Sequence, residues 1–458
     1  MKRITSMDFA RGIAVFGMTI FHAYFISWTF FATGDLSSLT WEYPFAFLFF
    51  IIGHWRGFFL IISAVVHFYS MGQGYKKGME PGKILLKQFV YAAIIWGLGA
   101  LYNAFLNPWG LLDHLFRAGT IDWSIARSFV YFSEVLQNIA VGVFFAGIIF
   151  YFLTKKDNMT KVVRNVVILG VTAVIIILIS PGIQKGLSLA LDNTGATDIT
   201  QMNPWATTNI HPFLQYFFIQ IAGREAPMFP MLASSFVGMI IGYLLIQEKP
   251  PKKMFKIGYF TSLGLFLFGG AWFGLVDIIA MKKPVFEVLV FQHVHPTWFA
   301  LANTGLELAT LLLLLQKVEF NPKINLDRWL YRSRWFRRWG IIALTVYMFQ
   351  VLVFVPALLL SKIPQLPDFT QYYPASFLGS TLLALVFYLL WEGLIRLWEL
   401  GRFILTPEWL LIYLNFFTGG KKVHHRDPLR VREKLYNVEP VMFVELETTD
   451  LTEPTNPE

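Results

Sequence analysis

Long apolar runs separated by polar or basic loops dominate the chain. Ten of these runs approach the roughly 20 residues that an α-helix needs to cross the hydrocarbon core of a bilayer. They cover residues 8–32, 55–72, 84–106, 128–153, 162–181, 226–246, 257–278, 296–316, 339–361 and 373–397. The pattern predicts an all-α fold, a polytopic integral membrane helix bundle with about 10 transmembrane helices.

Two further apolar stretches are too short to span a bilayer. Residues 44–52 are expected to dip into the outer leaflet as a re-entrant piece, and residues 403–418 to form a helix at the inner surface. The chain then divides into a transmembrane domain (1–400), an interfacial helix (401–420) and a cytoplasmic tail (421–458). Because the tail turns from basic to acidic and ends in polar, proline-containing sequence, we expect it to be partly disordered.

Basic residues separate the connecting segments into two alternating sets. One set, which includes the N-terminus and the tail, holds 29 of the 38 Lys and Arg residues, whereas the other set holds 7. Basic loops are retained in the cytoplasm, so both termini are predicted to be cytoplasmic. The long loop 182–225 would then face outward, either as a lid or acceptor-binding element or as a plain connector.

The composition agrees with a membrane protein. The chain is 55% hydrophobic and only 15% charged, against about 25% charged in a typical soluble domain. The net charge of +9 could suggest nucleic acid, but its placement in alternate loops favours a membrane and no nucleic-acid partner. The absence of cysteine excludes disulfides and thiolate metal sites. No Walker A, GxGxxG, GxSxG or HExxH motif is present, which argues against a nucleotide-driven pump.

The first predicted helix, SMDFARGIAVFGMTIFHAYF, carries three ionisable residues, Asp8, Arg11 and His22. Ionisable groups inside a membrane are costly, so each is a functional candidate. Asp8 and Arg11 can pair at the inner end, while Arg11 and His22 lie on nearly one face, roughly 16 Å apart along the axis. A cation at the mouth can hold a phosphate-bearing donor, and a neutral imidazole near mid-membrane can accept a proton. The alternatives are a helix-start salt bridge and a histidine satisfied in the core.

Other polar residues interrupt later spans and are candidates for lining a substrate cavity. They are Glu134, Gln137 and Asn138 in the fourth span, Asn303 and Glu307 in the eighth, Tyr347 and Gln350 in the ninth, and His54 and Arg56 before the second. Interhelical hydrogen bonding explains the same residues equally well. His211, His293 and His295 lie near outer ends without a third ligand at a characteristic spacing, so we predict no metal site.

These residues resemble a known family. The start RITSMDFARGIAVFGMTIFHAYF is similar to the opening of the transmembrane acyltransferase superfamily, which includes acyltransferase family 3 and heparan-α-glucosaminide N-acetyltransferase. Its members have a basic residue, a D-x-x-R-G turn and a His or Asn fourteen residues after the Asp, here Arg3, Asp8, Arg11, Gly12 and His22.

Later segments resemble the glucosaminide N-acetyltransferase branch. EVLQNIAVG (134–142) is similar to its L-Q-R-I-A signature, with Asn138 in place of the usual Arg. HPTWFALANTGLELATLLLL and RRWGIIALTVYMFQ resemble its late helices. RGFFLIISAVV (56–66) resembles the F-F-x-x-S-G helix, with Ala64 in place of its Gly. The likeness covers roughly residues 1–360.

The resemblance implies transfer of an acyl group, usually acetyl, from cytoplasmic acyl-CoA to a hydroxyl or amine of a sugar, glycan or lipid head group on the far side. It makes His22 the catalytic residue. It implies that Arg11 contacts the CoA phosphates or stabilises the site, that Asp8 orients Arg11, and that Gln137 lines the same cavity. No metal cofactor is expected. Direct transfer and an acyl-histidine intermediate both remain open.

Two other classes of function fit the polar residues. A transporter or flippase of a lipid-linked or anionic solute also needs intramembrane charges, although its paired halves with broken helices are not evident in the sequence. A structural scaffold would leave the coaxial Arg11 and His22 unexplained. We expect membrane lipids as partners in a cell membrane, most simply that of a prokaryote, and the sequence leaves open a homo-oligomer.

Overall fold

The computed structural model describes residues 2–33, 39–46, 48, 55–191, 212–223, 226–247, 250–280, 297–414 and 439–444. The helices are α1 (Thr5–Ser27), α2 (Phe30–Thr33), α3 (Arg56–Lys76), α4 (Pro81–Leu101), α5 (Leu111–Ala118), α6 (Trp123–Phe129), α7 (Val135–Thr154), α8 (Val162–Leu191), α9 (Pro212–Ala222), α10 (Met228–Ile246), α11 (Lys253–Trp272), α12 (Thr297–Lys317), α13 (Leu326–Ile341), α14 (Ala343–Met348), α15 (Phe354–Leu360), α16 (Phe377–Leu400) and α17 (Pro407–Leu414). Two short strands, β1 (Lys2–Arg3) and β2 (Glu439–Pro440), pair in parallel.

The described chain is an all-α helical bundle, as predicted. It contains nine helical stretches that are long and apolar enough to cross a membrane. The ninth predicted span, 339–361, is not one helix. It is divided among the end of α13, α14, a 3-10 turn (Gln350–Val353) and α15, because the backbone leaves helical geometry at Ile342 and Phe349.

The most deeply buried of the candidate spans is α10. It packs against α3 and α8, while α1 packs against α13 and α16. The helices α8 and α11 lie at the outside and expose rows of large apolar side chains, such as Val171 and Leu178 on α8 and Phe260 and Leu267 on α11. Apolar surface of this extent would be unfavourable in water, so these faces fit contact with lipid.

Several predicted boundaries shift. The fourth span begins at Val135 rather than at residue 128, since Glu134 is the N-cap and its carboxylate accepts a hydrogen bond from Val135 N at 3.3 Å. The fifth continues to Leu191, through Pro181. The basic loop 317–338 contains most of α13, whose N-cap Asn325 accepts from Arg328 N at 2.9 Å.

The helices α1 and α13 cross at a point where two glycines meet. A Cβ atom on Gly12 would lie 1.8 Å from the carbonyl oxygen of Phe336, and one on Gly340 would lie 1.9 Å from that of Asp8. No side chain fits in so little space, so glycine on both helices is what permits the backbones to touch. This crossing fixes the charged start of α1 against α13.

The end of the described chain returns to the start of α1. Val441 N donates to the Arg3 carbonyl oxygen at 2.9 Å, and Phe443 N donates to that of Glu319 at the same distance. The ring of Phe443 stacks on that of Phe320 with centroids 4.9 Å apart. Most of the predicted tail (421–458) lies outside the described residues, but residues 439–444 cover the N-terminal end of α1.

Candidate functional site

The start of α1 carries a dense group of charges. Asp8 is buried and forms an ion pair with Arg3, the last residue of β1. Arg11 Nη1 instead makes a long hydrogen bond of 3.5 Å to the Gly340 carbonyl oxygen. The predicted Asp8–Arg11 contact is therefore replaced by Asp8–Arg3, because β1 brings Arg3 back over the first turn while the glycine crossing offers Arg11 a carbonyl. Arg11 still lies close enough to Asp8 for an electrostatic interaction.

Two residues that the sequence did not single out join this group. Arg337 of α13 is 1% exposed and interacts electrostatically with Asp8 and Arg3. His67 of α3 interacts electrostatically with Arg11 and contacts Gln88 of α4 at 3.1 Å. In the sequence, Arg337 was one arginine of a basic loop and His67 a single polar residue in an apolar span. The end of α1 that holds Arg11 therefore gathers Arg3, Arg11 and Arg337 around one aspartate, and we call it the cationic end.

Two buried carboxylates border the cationic end. Glu319, after α12, accepts hydrogen bonds from Ser6 N at 2.9 Å and Thr5 Oγ1 at 3.2 Å, which satisfies the first turn of α1. Burial raises the pKa of Glu319 to about 7. Glu408 of α17 accepts from Thr345 N at 3.0 Å, and burial raises its pKa as well. The helix α17, which lies in the segment predicted to be interfacial, thus contacts α14.

His22 lies towards the other end of α1, in its last two turns. The helix begins earlier than predicted and ends at Ser27, since Trp28 is extended and bridges to Ala375. The imidazole is half-buried, and its Nδ1 contacts Oε1 of Gln350. Two residues predicted separately on the first and ninth spans are thus in direct contact. Arg11 and His22 both reach the segment that runs from Gly340 to Gln350, in agreement with their placement on one face.

A second contact between predicted residues lies three positions before Gln350. Tyr347 is buried and its hydroxyl donates to Glu134 Oε2 at 3.1 Å. Arg56, the first residue of α3, interacts electrostatically with the same tyrosine. Tyr347 and Gln350 lie on either side of the break at Phe349. Because of this break, Tyr347 reaches the N-cap of α7 and Gln350 reaches α1. We call His22, Arg56, Glu134, Tyr347 and Gln350 the polar cluster.

Gln137 and Asn138 follow Glu134 on the first turn of α7. Asn138 Nδ2 donates to the carbonyl oxygens of Ala226 and Glu134, so it joins α7 to the start of α10. Gln137 is fully buried against Gly99 of α4, and its amide has no hydrogen-bond partner among the described residues. A buried amide without a partner is uncommon and suits a ligand. The Oδ1 atom of Asn138 also has no hydrogen-bond partner among the described residues, so Gln137 and Asn138 both stay candidates.

Glu307 is buried in the middle of α12. Its carboxylate lies against the first turn of α3, beside Gly57 and Ser234, and no side chain in the described ranges donates a hydrogen bond to it. The neighbouring Thr304 contacts Ser234 Oγ at 3.3 Å, and Asn303 is half-buried on the same helix. The eighth span therefore places a carboxylate at the N-terminal end of α3, where the helix dipole favours negative charge.

Several predicted residues lie outside the described residues. They are His54, His211, His293, His295 and the loop residues around Trp205. Within the described residues, no group of three His, Asp or Glu side chains is placed to hold a metal ion.

No protein-family model matches the chain, and no curated protein sequence matches it either.

Proposed function

We propose that the protein is a membrane-bound acyltransferase that moves an acyl group, most simply acetyl, from acyl-CoA to a hydroxyl or amine of a sugar, glycan or lipid head group. One observation carries the proposal. A single helix presents a cationic group at its start and, near its other end, an imidazole held by Gln350. Such a helix suits a donor that is anionic at one end and reactive at the other.

The contact with Gln350 defines the chemistry open to His22. The Oε1 atom of Gln350 can only accept a hydrogen bond, so His22 Nδ1 carries the proton and Nε2 keeps a lone pair. Nε2 then acts as the general base. It takes the proton of the acceptor hydroxyl or amine, whose oxygen or nitrogen forms the new bond to the thioester carbonyl. The carbon–sulfur bond breaks, and the imidazolium returns the proton to the leaving thiolate.

The cationic end of α1 is the part of the site that we expect to bind CoA. Arg3, Arg11 and Arg337 outnumber Asp8, and guanidinium groups bind phosphates through paired hydrogen bonds. We assign the phosphates of CoA to this end and the thioester to the His22 end. Gln137 and the polar cluster border the acceptor side.

The test measures CoA release from acetyl-CoA by the purified full-length protein in detergent, with a sugar or amine acceptor panel. His22→Ala is expected to lower turnover by about 10²- to 10⁴-fold, the usual contribution of a general base. The matched control is His114→Ala on α5, a histidine outside the proposed site. Undiminished turnover in His22→Ala, or an equal loss in both variants, would remove His22 from the mechanism.

A second measurement separates the two routes of transfer. The intact mass of the protein is recorded after incubation with acetyl-CoA alone. A mass increase of one acetyl group that disappears in His22→Ala indicates an acyl-histidine intermediate. An unchanged mass favours direct transfer.

A transporter remains the second candidate because of two structural observations. The segment from α13 to α15 is interrupted within the apolar region, and Glu307 is buried without a side-chain donor among the described residues. Interrupted helices and intramembrane carboxylates are typical of transport sites. Uptake of an anionic solute into proteoliposomes that is lost in Glu307→Gln, without CoA release, would favour transport over acyl transfer.

A further inference from the structure

A cavity of about 650 Å³ lies between α13 and the last turns of α16. It is lined by Arg332, Arg334 and Arg338 of α13 and by Arg396, Glu399 and Leu400 of α16, together with Tyr331 and Trp335. The cavity contributes nothing to the proposed chemistry at His22. Four guanidinium groups facing one carboxylate give it a net positive charge.

The four arginines differ in their partners. Arg338 pairs with Glu399 at 3.0 Å and with Glu392 at 3.5 Å, and Arg396 pairs with Glu392 at 2.7 Å. The two pairs of Arg338 hold α13 against α16, whereas the pair of Arg396 with Glu392 lies within α16. Arg332 and Arg334 are exposed, and no carboxylate of the described ranges lies within ion-pair distance of either. The cavity therefore keeps two guanidinium groups available for an anion.

The cavity opens beside apolar surface. Leu397 is 66% exposed and Leu400 is 79% exposed on the last turn of α16, a candidate membrane span. Side chains of this kind, next to a membrane, suit acyl chains rather than water. A ligand that fits both parts has a phosphate for the arginines and hydrocarbon for the leucines.

We propose that this cavity binds the phosphate of an anionic phospholipid. Basic pockets between transmembrane helices on the cytoplasmic side bind anionic head groups, and the basic loops predict that this side is cytoplasmic. The assignment does not depend on acyl transfer. Because Gly340 of α13 contacts Arg11, a lipid bound here also stabilises the helix that supports the start of α1.

The test uses native mass spectrometry of the full-length protein in a neutral detergent, titrated with dioctanoyl-phosphatidylglycerol. The double variant Arg332→Gln/Arg334→Gln is expected to weaken binding by about 30-fold, since each basic residue near an anionic lipid contributes about fivefold. Arg328→Gln is the matched control, because Arg328 is exposed on the same helix but does not line the cavity. It is expected to bind as the unmodified protein does.

Parallel titrations distinguish the sources of phosphate. Dioctanoyl-phosphatidylcholine is expected to bind more weakly and without dependence on the two arginines. Inorganic phosphate and CoA are expected not to displace phosphatidylglycerol. Displacement by either, equal binding of phosphatidylcholine, or unchanged affinity in a double variant with the unmodified melting temperature would overturn the lipid assignment.

Discussion

Replacing Glu319 with glutamine should remove a pH-dependent loss of stability. The carboxyl group is fully buried, and it accepts hydrogen bonds from Ser6 and Thr5 at the start of α1. Burial raises its pKa from 4.5 to about 7. Glutamine has nearly the same shape and keeps an oxygen that can accept both hydrogen bonds, but it never carries charge.

The direction and the size of this loss of stability follow from the proton that the Glu319 carboxyl keeps in the folded state. Below a pH of about 4.5, both folded and unfolded states hold the proton, and the carboxyl does not lower stability. As the pH rises towards 7, the unfolded state loses the proton first, so the free energy of unfolding falls. The full loss is about 3 kcal/mol, at 1.36 kcal/mol for each pH unit of separation. For 458 residues this corresponds to a change in melting temperature of about 3 °C.

The assay is thermal unfolding of the full-length protein in detergent at about pH 5 and about pH 8. Glu319→Gln should melt close to the unmodified protein at the lower pH and above it at the higher pH. Glu80→Gln is the control, because the side chain of Glu80 is 69% exposed and pairs with the exposed Lys83. If Glu319→Gln and the unmodified protein differ by the same amount at both pH values, the buried carboxyl is not the titrating group.

Three other substitutions test the packing and the site. Gly12→Ala should lower the free energy of unfolding by about 1–3 kcal/mol, because the added methyl group collides with Phe336. Gly97→Ala, which has open space around it, is the control and should not lower it. Equal melting temperatures of the two variants would contradict the close contact of α1 with α13. Gln350→Leu should lower the rate of CoA release about tenfold, because His22 loses its hydrogen-bond partner. Gln350→Glu keeps an oxygen that accepts from His22 and should retain most of the rate. Equal losses in the two variants would show that the contact does not orient the imidazole. Phe443→Ala should lower the free energy of thermal unfolding by about 1–2 kcal/mol, since the ring of Phe443 stacks on that of Phe320. An unchanged melting temperature would mean that residues 439–444 are not bound to the start of α1.

The helical class of the fold could be predicted from the sequence, because about 20 apolar residues in a row leave few other structures. The break at Phe349 could not. The run IIALTVYMFQVLVF contains no glycine or proline, so nothing local marks the change from α14 to a 3-10 turn. Tertiary contacts of Tyr347 with Glu134 and of Gln350 with His22 accompany the break.

The candidate site was predicted in part. Spacing along α1 placed Arg11 and His22 on one face, and helical periodicity depends only on local geometry. Partners distant in sequence were missed, since no pattern connects Arg337 to Asp8 or residues 439–444 to β1. The basic cavity was missed for a related reason. In the sequence its arginines stand at the basic loop 317–338 and at Arg396, where the basic tail begins, and only the folding of α13 against α16 brings them together.

The most direct test of the proposed function is a structure of the full-length protein determined with CoA. We expect the phosphates beside Arg11 and Arg337 and the thiol sulfur within hydrogen-bonding reach of His22 Nε2. CoA bound elsewhere, or an imidazole enclosed by apolar side chains with no passage from the cationic end of α1, would contradict acyl transfer at this site.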